Sequence, residues 1–543
     1  MHRPDPTPPP KRGLTRLTRR AALRQAAAAL ASTVGAAGSA TGANAWAAPG
    51  PGGPTDTDRP PLQIVGPWEI GGLDPARSGY FFNRLEVAET LVGAAADGAP
   101  LPALATGWRR SDDGLEWRFT LRPTARFHDG SAVTAAAVAQ SLRRAQVAPA
   151  LLHPVPIRSI EADGTGTVVI RLTQPFGGLL SQLAHSSTQV LAPSSHAADG
   201  RVLAILGSGP YRVVSIEAPQ QMEVAAFDGF DGPQPAIRRV RYLSAGRSET
   251  RALMADSGQA DLAYGLDPAS LRRLGQRPQL RIRQVTLPRT MILKLNAGLP
   301  SLGDVRVRRA MSLAIDRAGI AHALLRDPSL AATQLLPPTL QGWHNTNVAP
   351  LAFDLPEAAA LLAQAGWRAT SEGVRNARGE ALALRLRTFA DRPELAIVAT
   401  ALQAQWQRLG IAVQVSIANS GDVPLGHRDG SLELALAARN YATTPDPTAT
   451  LRQDFGPQGG DWGAMGWSDP AVVAALAELG TGASIPARRA ELQALVTATL
   501  QSQLPVIPVA WYRQQVAVSR RVEGVELDPL ERSYRLTSMK WRA

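Results

Sequence analysis

Arg439 opens the run Arg439–Pro447, which directly follows an apolar, strand-like stretch at Leu432–Ala437. Open α/β sheets hold ligands just beyond the carboxyl ends of their strands. A guanidinium there presents a planar fork that can grip a carboxylate through two hydrogen bonds. Anion recognition is thus the chemistry open to Arg439, with an internal salt bridge as the equal alternative. Trp462 lies in a glycine-rich loop, Gly459–Gly466, and Trp467 directly follows it. Aromatic rings there are harder to explain by core packing and could line a ligand. Asp446 reads as a turn residue.

Other chemistries find less support. The chain has no cysteine, which excludes disulfides, thiolate nucleophiles and cysteine-ligated metals. Its 8 histidines show neither H-x-x-H nor HExxH spacing, so no metal site and no cofactor is expected. No G-x-S-x-G elbow, no P-loop and no G-x-G-x-x-G after a strand is present. An enzyme is therefore not expected, although a secreted hydrolase built on unassigned paired carboxylates stays formally open.

The elements that would position these residues read as α/β throughout. Leu115, Trp117, Phe119 and Leu121 alternate with polar residues, the period of a half-buried strand. Thr134 caps an alanine-rich helix reaching about Arg144, and Asp304 caps another carrying Val307, Met311, Ala314 and Ile315 on one face. Asp354 and Pro356 open a further helix that Gly366 closes. At 382–417 a strand, a helix over Pro393–Leu409, a stop at Gly410 and a second strand form a βαβ unit, which implies a parallel sheet with a right-handed crossover.

At 543 residues with 45% hydrophobic and 19% charged positions, the chain can bury cores for roughly three to four domains or subdomains. Beyond residue 50 no run approaches the ~18 apolar residues of a spanning helix, which sets aside a polytopic membrane protein. The net charge of +12 does not point to nucleic acid. Half of it comes from seven basic residues against Asp5 before position 48, and the rest is scattered arginine. Residues 1–47 read as an export signal, with adjacent Arg19-Arg20, an Ala/Gly/Ser-rich middle and A-x-A sites at Ala43–Ala47. The paired arginines resemble a twin-arginine signal. Without a cysteine to carry a lipid, the expected product is a soluble periplasmic protein and not a lipoprotein.

Several segments in order resemble the extracytoplasmic solute-binding proteins that feed peptide and nickel ABC importers. They are Gly72-Leu73-Asp74-Pro75, Glu89-Thr90-Leu91-Val92, Leu104–Trp108, Arg126–Gly130, Gly207–Tyr211, Gly258–Gly265, Asp304–Arg317 and Phe353–Trp367. The resemblance covers about 62–535 and implies a two-lobe periplasmic-binding clamp of mixed sheets flanked by helices. The first lobe would span 62–288 with a subdomain inserted at about 100–200, after a linker at 48–61. The second would span 289–508, and 509–543 would return to the first. Met291–Leu295 and Val506–Trp511 would cross between lobes. It further implies a monomer that delivers a solute to a permease and ATPase at the inner membrane. A periplasmic sensor or chaperone using the same clamp is the alternative.

The resemblance also bears on the ligand. Peptide-binding members resemble A-D-Y-P-D-P after the strand, where the first Asp holds the peptide's ammonium. Thr443 occupies that place here, so the charge-assisted contact is missing. Nickel-binding members resemble R-T-W-G-x-P-Y-D-P, which Arg439 and Tyr441 match better. The histidines beside that motif are replaced by Ala438 and Thr448, and Gln146–His153 and Ala184–Gln189 hold no arginine. Matching positions nominate Tyr441, Tyr80 and Phe81 as an aromatic wall and His185 as a contact, with a core role the equal alternative for Phe81. The solute would be of peptide, opine or metal-chelate type.

Overall fold

Side-chain alternation and helix capping account for most local structure. In this computed structural model the chain is described at residues 59–148, 150–389, 392–482 and 485–542; the expected export signal at 1–47 and most of the expected linker lie outside them. The strand Glu116–Leu121 buries Trp117, Phe119 and Leu121. The helices Ala135–Val147, Val305–Leu313 and Leu355–Gln364 start where Thr134, Asp304 and Asp354 accept backbone N–H groups. A four-stranded antiparallel sheet and the helix Ala135–Val147 enclose the core of the inserted subdomain, around Phe119, Leu142 and Ile170.

A mixed ten-stranded sheet organises the rest. The βαβ unit is present: Ala383–Phe389 and Ala412–Ala418 pair in parallel across the helix Pro393–Gln407. It is one wing of that mixed sheet, not of an all-parallel one. At the sheet's centre run two long antiparallel strands, Leu280–Leu295 and Val506–Ser519. They contain the two expected crossing segments but extend well past both. Their register shifts between Leu287 and Thr290, on either side of Pro288, which has no N–H to give the ladder.

These strands tie two halves together. Past the shift, Met291, Leu293 and Leu295 enter one core while Ile292 enters the opposite one with Tyr441, Phe455 and Leu476, as strand alternation requires. Before it, Leu280 packs with Val65, Ala263 and Leu274. Val516 and Val518 of the partner strand join Phe81, Tyr242 and Tyr534. Within the expected return at 509–543, Val509, Ala510, Tyr512 and Leu530 pack into cores of the second half, while Val516, Val518 and Tyr534 pack into the first.

Candidate functional site

Strand directions locate the cleft. In the first half Leu62–Gly66, Arg239–Ser244 and Leu262–Ala263 run in parallel, with carboxyl ends facing the middle of the crossing strands. In the second half Ala383–Phe389 and Leu434–Asn440 are parallel, and Asn440 lies opposite Arg289. The carboxyl ends of both halves therefore converge on one place, where α/β sheets hold their ligands.

Arginines and aromatic rings form the floor there. Arg84, at the end of the helix Pro75–Arg84, places its Cζ 4.1 Å from the ring centre of Trp68, 5.4 Å from Tyr80 and 6.0 Å from Tyr534. Across the crossing strands, Arg289 and Arg392 lie 5.7 and 5.6 Å from the ring of Tyr512. Such stacking suits guanidinium over ammonium. Glu531 joins the two groups. Its carboxylate accepts from Arg289, and from Gln514 at 3.3 Å, while its backbone carbonyl accepts from Arg84 Nε at 3.0 Å. Burial opposes the charge on Glu531, but Arg289, Arg84 and Arg392 together hold its carboxyl below the usual range. Its φ of 57° is left-handed, unusual for a residue with a Cβ and the kind of local strain found at functional positions.

Away from the floor, the inserted subdomain meets the second half along a seam. Gly177 N–H donates to Gly480 O at 3.1 Å. A Cβ on Gly177 would sit 2.2 Å from the Cα of Gly482, and one on Gly98 would sit 2.4 Å from Pro445 O. Only residues without side chains let the backbones approach this closely.

The residues singled out from the sequence are scattered among these regions. Arg439 is inside the strand Leu434–Asn440, because pairing with Arg289–Leu295 carries that strand past its apolar run. Its guanidinium makes a bidentate ion pair with Asp454, both contacts 2.7 Å, and Asp454 is 1% exposed. The salt-bridge alternative is the one realised. Tyr441 is fully buried in the second half's core, and Phe81 in the first, where its ring meets Tyr242 edge-on at 5.2 Å. Both are packing residues, not a cleft wall. Trp462 packs edge-on against Phe389 at 6.1 Å and Trp467 against Phe455 at 6.4 Å, so the glycine-rich loop lays its rings onto cores. Lys294 pins that loop through Gly460 O at 2.8 Å and Gly463 O at 2.7 Å. Thr443 is exposed, 3.0 Å from the Thr450 hydroxyl.

Tyr80 lies against the floor, its ring 5.4 Å from the Arg84 guanidinium, and His185 lies on a neighbouring segment. Their segments meet where Gly79 packs against Ser186 O. Tyr80 donates to Glu69 O at 3.2 Å. His185 caps a short turn, its Nδ1 accepting from Ser187 N–H at 3.1 Å, and burial pushes its pKa down to about 4. Sequence reasoning missed Trp68, Arg84, Arg289, Arg392, Tyr512, Glu531 and Tyr534. The Tyr80–Arg84 spacing on one helix was a usable signal; nothing marked Glu531. Among the described residues no cluster of three or more His, Asp or Glu could hold a metal ion. Nor is any helix there long and apolar enough to cross a membrane.

Comparison with known proteins places this architecture. The model of bacterial extracellular solute-binding proteins, family 5 middle, matches residues 99–462. The nickel-binding periplasmic protein of Escherichia coli (strain K12) is 26% identical over 431 residues, 76% of this chain and 82% of that one. The dipeptide-binding protein of the same organism is 23% identical over 495 residues, 84% and 88% of the two chains. NikA from Brucella suis, in complex with Fe(III)-EDTA, shares the fold with a TM-score of 0.83 at 24% identity, over 89% of this chain and 100% of that one. The chain belongs to the family 5 bacterial extracellular solute-binding proteins, the substrate-binding components of ABC importers.

Proposed function

We propose that this protein captures a small carboxylate-bearing solute, of peptide, opine or metal-chelate type, between its two halves. It then hands the solute to an ABC permease and ATPase at the inner membrane. The observation that carries this reading is the convergence of strand carboxyl ends from both halves on a floor built from Arg84, Arg289, Arg392 and Glu531. Guanidinium groups gathered at a largely buried floor favour an anionic guest. The halves are 62–288 with 509–543, and 289–508, with Val509, Ala510, Tyr512 and Leu530 as points where the return segment also grips the second. The working protein is a periplasmic monomer, exported by its twin-arginine-like signal.

Closure over a solute gives the permease a shape distinct from the open one, and the solute favours it only through its greater affinity for that state. Native mass spectrometry of the mature protein from periplasm, before and after denaturation and refolding, tests the reading. The expected result is release of one or more acidic small molecules. Release of only cationic or uncharged compounds, or failure to load any solute from a defined panel of acids, contradicts it.

A further inference from the structure

At the seam lies a small, partly open pocket between Phe176, Ser181 and Gln182 on one side and Thr444, Arg452 and Arg489 on the other. Its polar groups are incompletely satisfied. Gln182 is 4% exposed, yet its Oε1 has no hydrogen-bond partner. Leaving a buried acceptor unpaired costs about 1–3 kcal/mol, and native structures keep few such atoms without a water, ion or ligand to serve them. Across the pocket, Arg452 is exposed on the helix Thr448–Asp454 and has no ion pair among the described residues. Its Nη1 lies where a Cβ on Gly480 would come within 2.5 Å, so the glycine makes room for the guanidinium at the seam.

The neighbouring polar groups are already engaged. The Asp446 carboxylate accepts from Thr448 N–H at 2.8 Å, from the Thr448 hydroxyl and from Arg489. The Thr444 hydroxyl donates to Asp446 O at 2.8 Å. Among the described residues, Gln182 Oε1 stands out as a buried unpaired acceptor and Arg452 as a cationic fork without an ion pair.

We propose that this pocket is a subsite for the acidic end of the solute: a carboxylate whose adjoining atom bears an N–H or O–H. The carboxylate pairs with Arg452 and the N–H or O–H donates to Gln182 Oε1. Peptide carboxyl termini, N-substituted amino acids and 2-hydroxy acids share this signature. The inference rests on the reading of solute capture between the halves, and it adds a second contact point away from the hinge floor. Because each half supplies one of the two groups, the subsite is complete only when the seam is formed.

Minimal probes test it. The mature chain labelled with ¹⁵N-glutamine is titrated with N-acetylglycine, glycolate and the uncharged N-acetylglycinamide, and the side-chain signal missing from Gln182→Leu identifies the reporter. The expected result is a saturable shift of that signal with at least one of the two acids, none with the amide, and at least tenfold weaker binding in Arg452→Ala. Arg452 is exposed, so this variant keeps its fold, which its thermal unfolding checks. A silent Gln182 signal with both acids, an equal response to the amide, or full affinity in Arg452→Ala overturns the subsite. Native mass spectrometry reports loading independently. A solute-loaded protein with a silent Gln182 removes the subsite alone, whereas a protein that loads nothing removes the capture reading beneath it.

Discussion

At the floor, Arg84 and Arg289 are 8% and 9% exposed and both are tied to Glu531 by hydrogen bonds. At the seam, Gly177 and Gly480 touch through one backbone hydrogen bond, Arg452 is exposed, and Gln182 keeps an unpaired oxygen. Glu531 anchors both floor arginines, although Arg84 Nη1 and Arg289 Nε keep no hydrogen-bond partner of their own, whereas the seam is tied by fewer contacts. A pre-arranged anion-binding surface loses little entropy when a solute arrives. An incomplete seam gives that solute something to finish, and so makes closure conditional on it. Rigidity at the hinge and deficiency at the jaws are thus two halves of one device.

The largest expected effect breaks the floor. Glu531→Ala leaves Arg289 buried without its carboxylate, and removal of one partner from a buried pair costs about 3–5 kcal/mol. Urea unfolding should show a loss of that size. A change under about 1 kcal/mol would mean that the floor is solvated and far less pre-arranged than its burial implies.

The seam should respond in the opposite manner. Gly177 has an ordinary backbone conformation, and the nearest atoms a Cβ there would meet belong to Gly482 and Thr481 across the seam. Unfolding midpoints should shift by no more than about 0.5 kcal/mol. Affinity for the co-purified solute, measured by titration calorimetry, should fall at least tenfold, about 1.4 kcal/mol or more. A variant with normal affinity would show that the seam plays no part in capture.

A smaller effect lies in acid. His185 and His128 both have pKa values pushed down to about 4 by burial. Between pH 6.5 and about 4 the unfolded chain binds these protons and the folded chain does not, so stability falls as pH falls through that window. His185→Gln should flatten the slope of stability against pH there. If only His128→Gln did so, His185 would be solvated and its segment mobile.

Much of the fold was legible because its signals are local. Thr134, Asp304 and Asp354 cap the helices they precede, and alternation marked Glu116–Leu121 and Ala383–Phe389. The crossing strand Leu280–Leu295 was only half visible. Arg281, Arg283, Pro288 and Arg289 interrupt its apolar pattern, and its length comes from pairing with Val506–Ser519, more than two hundred residues away. The site was harder for the same reason. Arg439 was a sound choice by residue type, but its partner Asp454 sits on a helix that no short-range signal links to it. Trp462 and Trp467 looked stranded in a loop because the cores that receive them come from other segments. Glu531 acts through a left-handed backbone and three arginines from distant elements, none of which composition or periodicity displays.

The central claim is that a solute closes the two halves over a common floor. Small-angle X-ray scattering of the mature protein, compared as purified, after stripping by denaturation and refolding, and after return of the released fraction, tests it most directly. The account predicts a larger radius of gyration on stripping, restored by the released fraction in the wild type but not in Gly177→Ala. An unchanged radius across all three states, with solute demonstrably lost and regained, would contradict it.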